Sequence, residues 1–101
     1  MAVRANKKSE AVLGGVAGEQ RFYAVDGCVY SGLPDMADCL EHMSSDSFSH
    51  HVTSANNDLG NWVRDVLHDD KLASDLDKAA NAADMARIVR YRIHWHQRTK
   101  H

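Results

Sequence analysis

No stretch of this chain holds the ~20 consecutive apolar residues that a membrane-crossing helix needs. Nor does a basic start lead into the apolar run of a secretion signal, so the default expectation is a cytoplasmic setting with no membrane contact. Proline occurs once, at Pro34, and glycine six times, which excludes collagen-like and Pro/Gly-rich disordered chains. Cysteine occurs twice, too seldom for a disulfide scaffold or a four-cysteine zinc site. One bridge between Cys28 and Cys39 is possible. The expected state is two buried free thiols, because Cys28 falls in a strand pattern and Cys39 on the apolar side of a helix. Gly14-Gly15 lacks the Gly-Lys-Ser/Thr that completes a phosphate loop, and Ser44, Ser45, Ser47 and Ser49 lack the glycines of a nucleophile elbow. No catalytic residue and no cofactor is expected. The chain does not read as an enzyme.

Acidic residues are also absent from the last 17 positions, and that absence exposes an uneven charge distribution. The formal net charge is −2 over 101 residues. Residues 26–84 carry three bases against twelve acids, a net −9, whereas residues 1–25 carry +2 and residues 85–101 carry +5. An acidic middle between basic ends can attract itself, a partner, or both.

The length suits one small domain. Residues 1–20 have little patterning and read as a flexible N-terminal tail, leaving residues 21–101 as a single α+β domain. Phe22 to Val25 and Cys28 to Tyr30 are rich in strand formers and flank Asp26-Gly27, which predicts a hairpin with a two-residue type I′ turn. The edges of so small a sheet make strand-mediated dimerisation plausible. Pro34 suits a first helical turn, and Met36, Cys39, Leu40 and Met43 follow at helical spacing. Asp69-Asp70 can cap a further helix with Leu72, Ala73, Leu76 and Ala79 inward. A last helix runs from about Ala82 to Gln97. The fold class is therefore α+β, mainly helical, with an N-terminal β-hairpin followed by four or five short helices.

The longest helical periodicity lies between Asp46 and Ala73. Leu59, Trp62, Val63, Val66 and Leu67 share one face, and Asn57 and Asp58 stand where a helix cap belongs. Phe48 and Val52 make a shorter stripe before that cap. This segment resembles a family of small archaeal proteins known only as a domain of unknown function, DUF family 5752. The resemblance rests on Phe48, His50, His51, Val52, Asn57, Asp58, Trp62, Val63, Asp65, Val66, Leu72 and Ala73, and extends weakly over residues 22–84. It implies a compact domain and carries no activity. Leu59 departs from the Phe found in relatives, and Gly60 is a poor helix former.

Read from the residues themselves, His50, His51, Asn57, Asp58, Trp62 and Asp65 suit structural roles. Trp62 anchors a core, Asn57-Asp58 cap a helix, and one histidine fixes the break by hydrogen bonding. Seven histidines raise the question of a metal, but adjacent His50 and His51 diverge by about 100° on a helix. No His-x-x-x-His or Cys-x-x-Cys pair occurs, and no metal ligand is assigned.

On the last helix Met85, Ile88, Val89, Ile93 and Trp95 form an apolar arc, and Arg87, Arg90, Tyr91, His94 and Arg98 the opposite one. Arg92 and His96 fall within the apolar arc, as if the helix overran the core. The basic arc is the candidate surface for a partner. The expected function is a binding module acting on an unknown protein partner or as a homo-dimer. Nucleic acid is the alternative, with the arginines on phosphates and Tyr91 stacking on bases, and a His-based metal protein or enzyme comes third.

Overall fold

The computed structural model describes residues 13–98. A two-stranded antiparallel hairpin, β1 (Phe22–Tyr23) and β2 (Val29–Tyr30), precedes five helices. These are α1 (Leu33–Glu41), α2 (Ser45–His51), α3 (Asp58–Asp65), α4 (Asp70–Leu76) and α5 (Ala82–Arg98). No helix among the described residues is long and apolar enough to cross a membrane.

Side-chain caps set most helix starts. Ser44 accepts from the Ser47 N–H, Asn57 from Gly60 and Asp69 from Leu72, each satisfying an orphan donor of a first turn. Asn81 does the same for Asp84 ahead of α5. Pro34 occupies the first turn of α1, where its missing N–H leaves no bond unmade. His68 adopts φ +58°, a left-handed turn that ends the α3 segment and aims Asp69 into α4.

The hairpin register differs from the expected one. Phe22 pairs with Tyr30 and Tyr23 with Val29, while the Ala24 N–H bonds to the Cys28 carbonyl at 2.9 Å, so the loop is the three residues Val25-Asp26-Gly27. A type I′ turn needs positive φ at both central residues. Among the described residues only His68 and two glycines have it, one of them Gly27 at φ +92°. Asp26 instead accepts from the Cys28 N–H at 3.0 Å, and Gly27 takes the left-handed position that follows the turn. The one-residue change puts Tyr23, Val25 and Val29 on the solvent face and Phe22, Ala24 and Tyr30 on the core face.

The expected free thiols are corrected to a disulfide. Cys28 and Cys39 are bridged, with Cα atoms 6.3 Å apart, tying the hairpin to α1. Both were read for hydrophobic position alone. The hairpin packing directly on α1 brings the two half-buried sulfurs together.

Of the expected tail, residues 1–12 lie outside the described residues. From Leu13 onward the chain is docked: Leu13 and Val16 pack against the core, the Val16 N–H bonds to the Ser31 carbonyl at 2.8 Å, and the Gln20 carbonyl accepts from Trp62. The core joins Tyr30, Leu33, Met36, Leu40, Leu59, Val63, Leu72, Leu76, Met85 and Val89, with α1 against α5 as its largest helix contact.

Gly60 has a packing reason. A Cβ there would lie 3.3 Å from both the Asn57 amide and an Asp77 carboxylate oxygen, closer than ordinary contact. Those two groups are held together by a 3.2 Å hydrogen bond and have little room to yield.

Candidate binding surface

The central segment gathers around His51, which is buried between α2 and the hairpin. Its Nε2 accepts the Val25 N–H at 2.9 Å, so the proton sits on Nδ1, which donates to Asp58 Oδ2 at 3.1 Å. Asp58 Oδ1 also accepts from Asn56 at 2.7 Å, Asn56 from Asn61 at 2.9 Å, and Asn61 from Arg64 at 2.9 Å. Donors thus converge on Asp58 from both ends of one chain of hydrogen bonds. A general base needs a free lone pair facing a substrate, and both ring nitrogens of His51 are engaged within the protein.

The neighbouring residues are placed for packing and capping. Trp62 lies in an aromatic cluster with Phe22 and Tyr30, at centroid distances of 6.2 and 6.1 Å, and its Nε1 donates to the Gln20 carbonyl at 2.8 Å. Phe48 is buried in the core, and Asn57 caps α3 while reaching the Leu76 carbonyl and Asp77. His50 is exposed with its ring edge against His51, and Asp65 is exposed at the end of α3. No group of three or more metal-binding side chains that could hold an ion occurs among the described residues.

The basic arc of α5 does not form one continuous cationic face. Arg90 turns towards α1, where it donates to Glu41 and Asp38 at 2.7 Å each. Those bonds hold the Glu41 carboxyl below its usual range and raise the guanidinium further. Arg87 is held by Asp84 one turn back. The Asp84 carboxyl is lowered by the Ala80 N–H first and by Arg87 second. His94 and Arg98 are exposed towards the end of the helix. Arg87 and Tyr91 alone of the arc line a common depression.

That depression lies between α4 and α5. It has a volume of about 420 Å³ and is lined by Ile88 and Tyr91 among Lys71, Asp75, Lys78, Arg87 and Arg92. Tyr91 is 76% exposed and Trp95, one turn on, is 42% exposed. Ile88, Tyr91 and Trp95 follow at i, i+3 and i+7, a single stripe along the helix. Lys71 pairs with Asp75 at 3.2 Å, whereas Lys78 has no carboxylate partner among the described residues.

Behind the stripe is a buried cluster that periodicity did not reveal. Arg92 grips Asp69 with two hydrogen bonds of 2.9 and 2.8 Å, and His96 Nε2 donates to the same carboxylate at 2.8 Å. Burial alone would raise the Asp69 carboxyl, but the bonds from His96, Arg92 and the Leu72 N–H outweigh it and hold the group well below its usual range. The Arg92 guanidinium also lies 3.8 Å over the Trp95 ring, a cation–π contact that supports the exposed indole from beneath. The expected overrun of the helix past the core is thereby corrected: Arg92 and His96 are inside because Asp69 receives them. The only advance signal was polar residues inside an apolar arc, and Asp69 already had a sufficient reason as a cap.

No protein-family model, curated protein or solved structure matches the chain at a significant level. The resemblance of the central segment therefore rests on its own residues.

Proposed function

We propose that the chain is a protein-interaction module whose docking surface is the α4–α5 depression, and that its partner presents apolar anchors beside acidic residues. The observation that carries this reading is the exposed Tyr91 ring beside half-buried Ile88 in a depression rimmed by Lys71, Asp75, Lys78 and Arg87, with exposed Trp95 one turn further along the helix. An exposed aromatic ring beside an aliphatic side chain in a concave surface is an anchor point of helix-in-groove recognition. Nucleic acid fits less well. Phosphate binding draws on cations free to exchange their counterions, and Arg87, Arg90 and Arg92 already hold carboxylates of this chain. Lys78, the rim cation with no carboxylate partner among the described residues, would face its own counterpart if two copies joined through the same stripe, which favours a partner that brings a carboxylate there. A cytoplasmic setting enters the proposal with one condition. Protein disulfides persist where the medium is oxidising, so a cytoplasmic module would carry Cys28 and Cys39 as thiols.

The test uses a labelled helical peptide with Leu at i, i+3, i+4 and i+7 and Glu elsewhere, against a scrambled peptide of equal composition and an oligothymidylate of equal charge. Fluorescence anisotropy should show preference for the patterned peptide. Tyr91→Ala should weaken it about tenfold or more, the scale of an aromatic interface anchor, while Arg90→Gln leaves it unchanged. Tighter, salt-sensitive binding of the oligonucleotide would overturn the reading, as would a dimer seen by light scattering and abolished by Tyr91→Ala.

A further inference from the structure

A second concave site lies beside the loop between α2 and α3, and it shares no lining residue with the α4–α5 groove. Residues 52–57 close on themselves through the bridge between Val52 and Asn57 and through Thr53, whose hydroxyl accepts the N–H groups of Ala55 and Asn56 at 3.2 and 3.0 Å. Between this loop, α3 and the end of α4 is a pocket of about 340 Å³ lined by Asn56, Asn57, Asn61, Arg64 and Asp77 together with the loop. That volume is in the range of small-molecule sites.

Its amides are oriented before any ligand arrives. Arg64 Nη1 fixes the Asn61 oxygen, Asn61 Nδ2 fixes the Asn56 oxygen, and the Asn56 amide ends on Asp58. Asn57 accepts the Gly60 N–H at its oxygen and donates its amide hydrogens to the Leu76 carbonyl and Asp77 Oδ1. Unused capacity remains at two charged groups. Among the described residues nothing takes the Nε and Nη2 hydrogens of Arg64 or the Oδ2 of Asp77, and Asn61 keeps one amide hydrogen.

The lining has one guanidinium and one carboxylate, so it is electrically balanced. A polyanion would meet Asp77 and a metal cation would meet Arg64. No aromatic ring lines the site to stack on a base or sugar face. The complementary ligand is dipolar and net neutral, with a carboxylate for the fork of Arg64 and an ammonium for Asp77. We infer that this pocket binds a free α-amino acid as its zwitterion.

Isothermal titration calorimetry on the full chain tests this with glycine, L-serine and L-glutamine, beside glycinamide and N-acetylglycine, each lacking one of the two charges. At least one free amino acid should bind, and the two blocked compounds should bind about tenfold more weakly or not at all, as expected for a lost charge-assisted hydrogen bond. Arg64→Gln and Asp77→Asn should each weaken binding about tenfold. Arg64→Lys, which keeps charge but loses the fork, should fall between wild type and Gln. Melting curves run in parallel identify a variant that has unfolded, in which case the other site decides. Tyr91→Ala should leave the binding intact, which separates this site from the groove. No heat from any free amino acid, equal binding of either blocked compound, or tighter binding of inorganic phosphate or glucose would overturn the assignment.

Discussion

Two histidines in this protein are buried against carboxylates, and the contrast between them shows what holds each end of the molecule together. His51 and Asp58 lie seven residues apart, and the Asp58 side chain remains 39% exposed. His96 and Asp69 lie 27 residues apart and are both 1% exposed, with Arg92 on the same carboxylate. Water can replace a lost partner of Asp58, but none can reach Asp69. The first pair fixes a local break between α2 and α3, whereas the second clamps the start of α4 to the end of α5. Similar geometry therefore has different consequences, set by what removal would leave stranded.

The sharpest way to break the comparison is Asp69→Ala. It would remove the carboxylate that Arg92 and His96 share in a buried site, a loss of about 3–5 kcal/mol by analogy with broken buried ion pairs. Urea denaturation should show it, and Asp69→Asn should cost less because an amide oxygen can still cap Leu72. A loss below about 1 kcal/mol would mean that water enters the cluster.

Acid probes the Asp69 cluster directly. The folded Asp69 carboxyl is held below its ordinary value of 3.8, so the stability it contributes is present above that value and is lost as pH falls below it. Thermal melts from pH 5 to pH 2 should decline in wild type, and Asp69→Asn should flatten that decline. An unchanged slope would show that other carboxylates govern acid unfolding.

His51→Leu should have an intermediate effect, about 1–3 kcal/mol. It keeps the bulk against Phe22, whose ring centroid is 5.1 Å away, but leaves the Val25 N–H without its acceptor. Asp58→Asn should cost under about 1 kcal/mol, because the exposed side can be rehydrated. If the two changes cost the same, the network acts as one unit and the contrast with Asp69 narrows.

How much of this was legible in the sequence follows the same division. The α+β class, the caps at Asn57 and Asp69, and the core face through Leu59, Trp62 and Val63 are local patterns, and local patterns survive translation into structure. His51 beside Asp58 was within reach for the same reason. The hairpin lay one residue off because Asp26 prefers a negative φ once its carboxylate bonds to Cys28. The disulfide, Arg90 on α1 and Arg92 with His96 on Asp69 all depend on which elements become neighbours. Helical-wheel position gave Arg90 a solvent face without showing that Asp38 and Glu41 stand opposite it. It likewise gave Tyr91 an exposed position without showing the groove that α4 completes.

The smallest expected effect sharpens the hairpin end of the comparison. Tyr30 lies in the same aromatic cluster as His51, through Phe22 at a centroid distance of 5.2 Å, but its polar atom is handled differently. Both nitrogens of His51 have partners, whereas the buried Tyr30 hydroxyl has none among the described residues. Burial first and the Asp26 charge second push the phenol's ionisation upward, so it stays neutral. A buried donor without an acceptor opposes folding, and removing it relieves that cost while a ring of the same shape keeps its contacts. Tyr30→Phe should therefore leave stability unchanged or raise it by up to about 1 kcal/mol in urea denaturation. A loss of more than about 1 kcal/mol would show that the hydroxyl is hydrogen-bonded in solution, and the hairpin would then be held by polar contacts at Tyr30 as well as at His51.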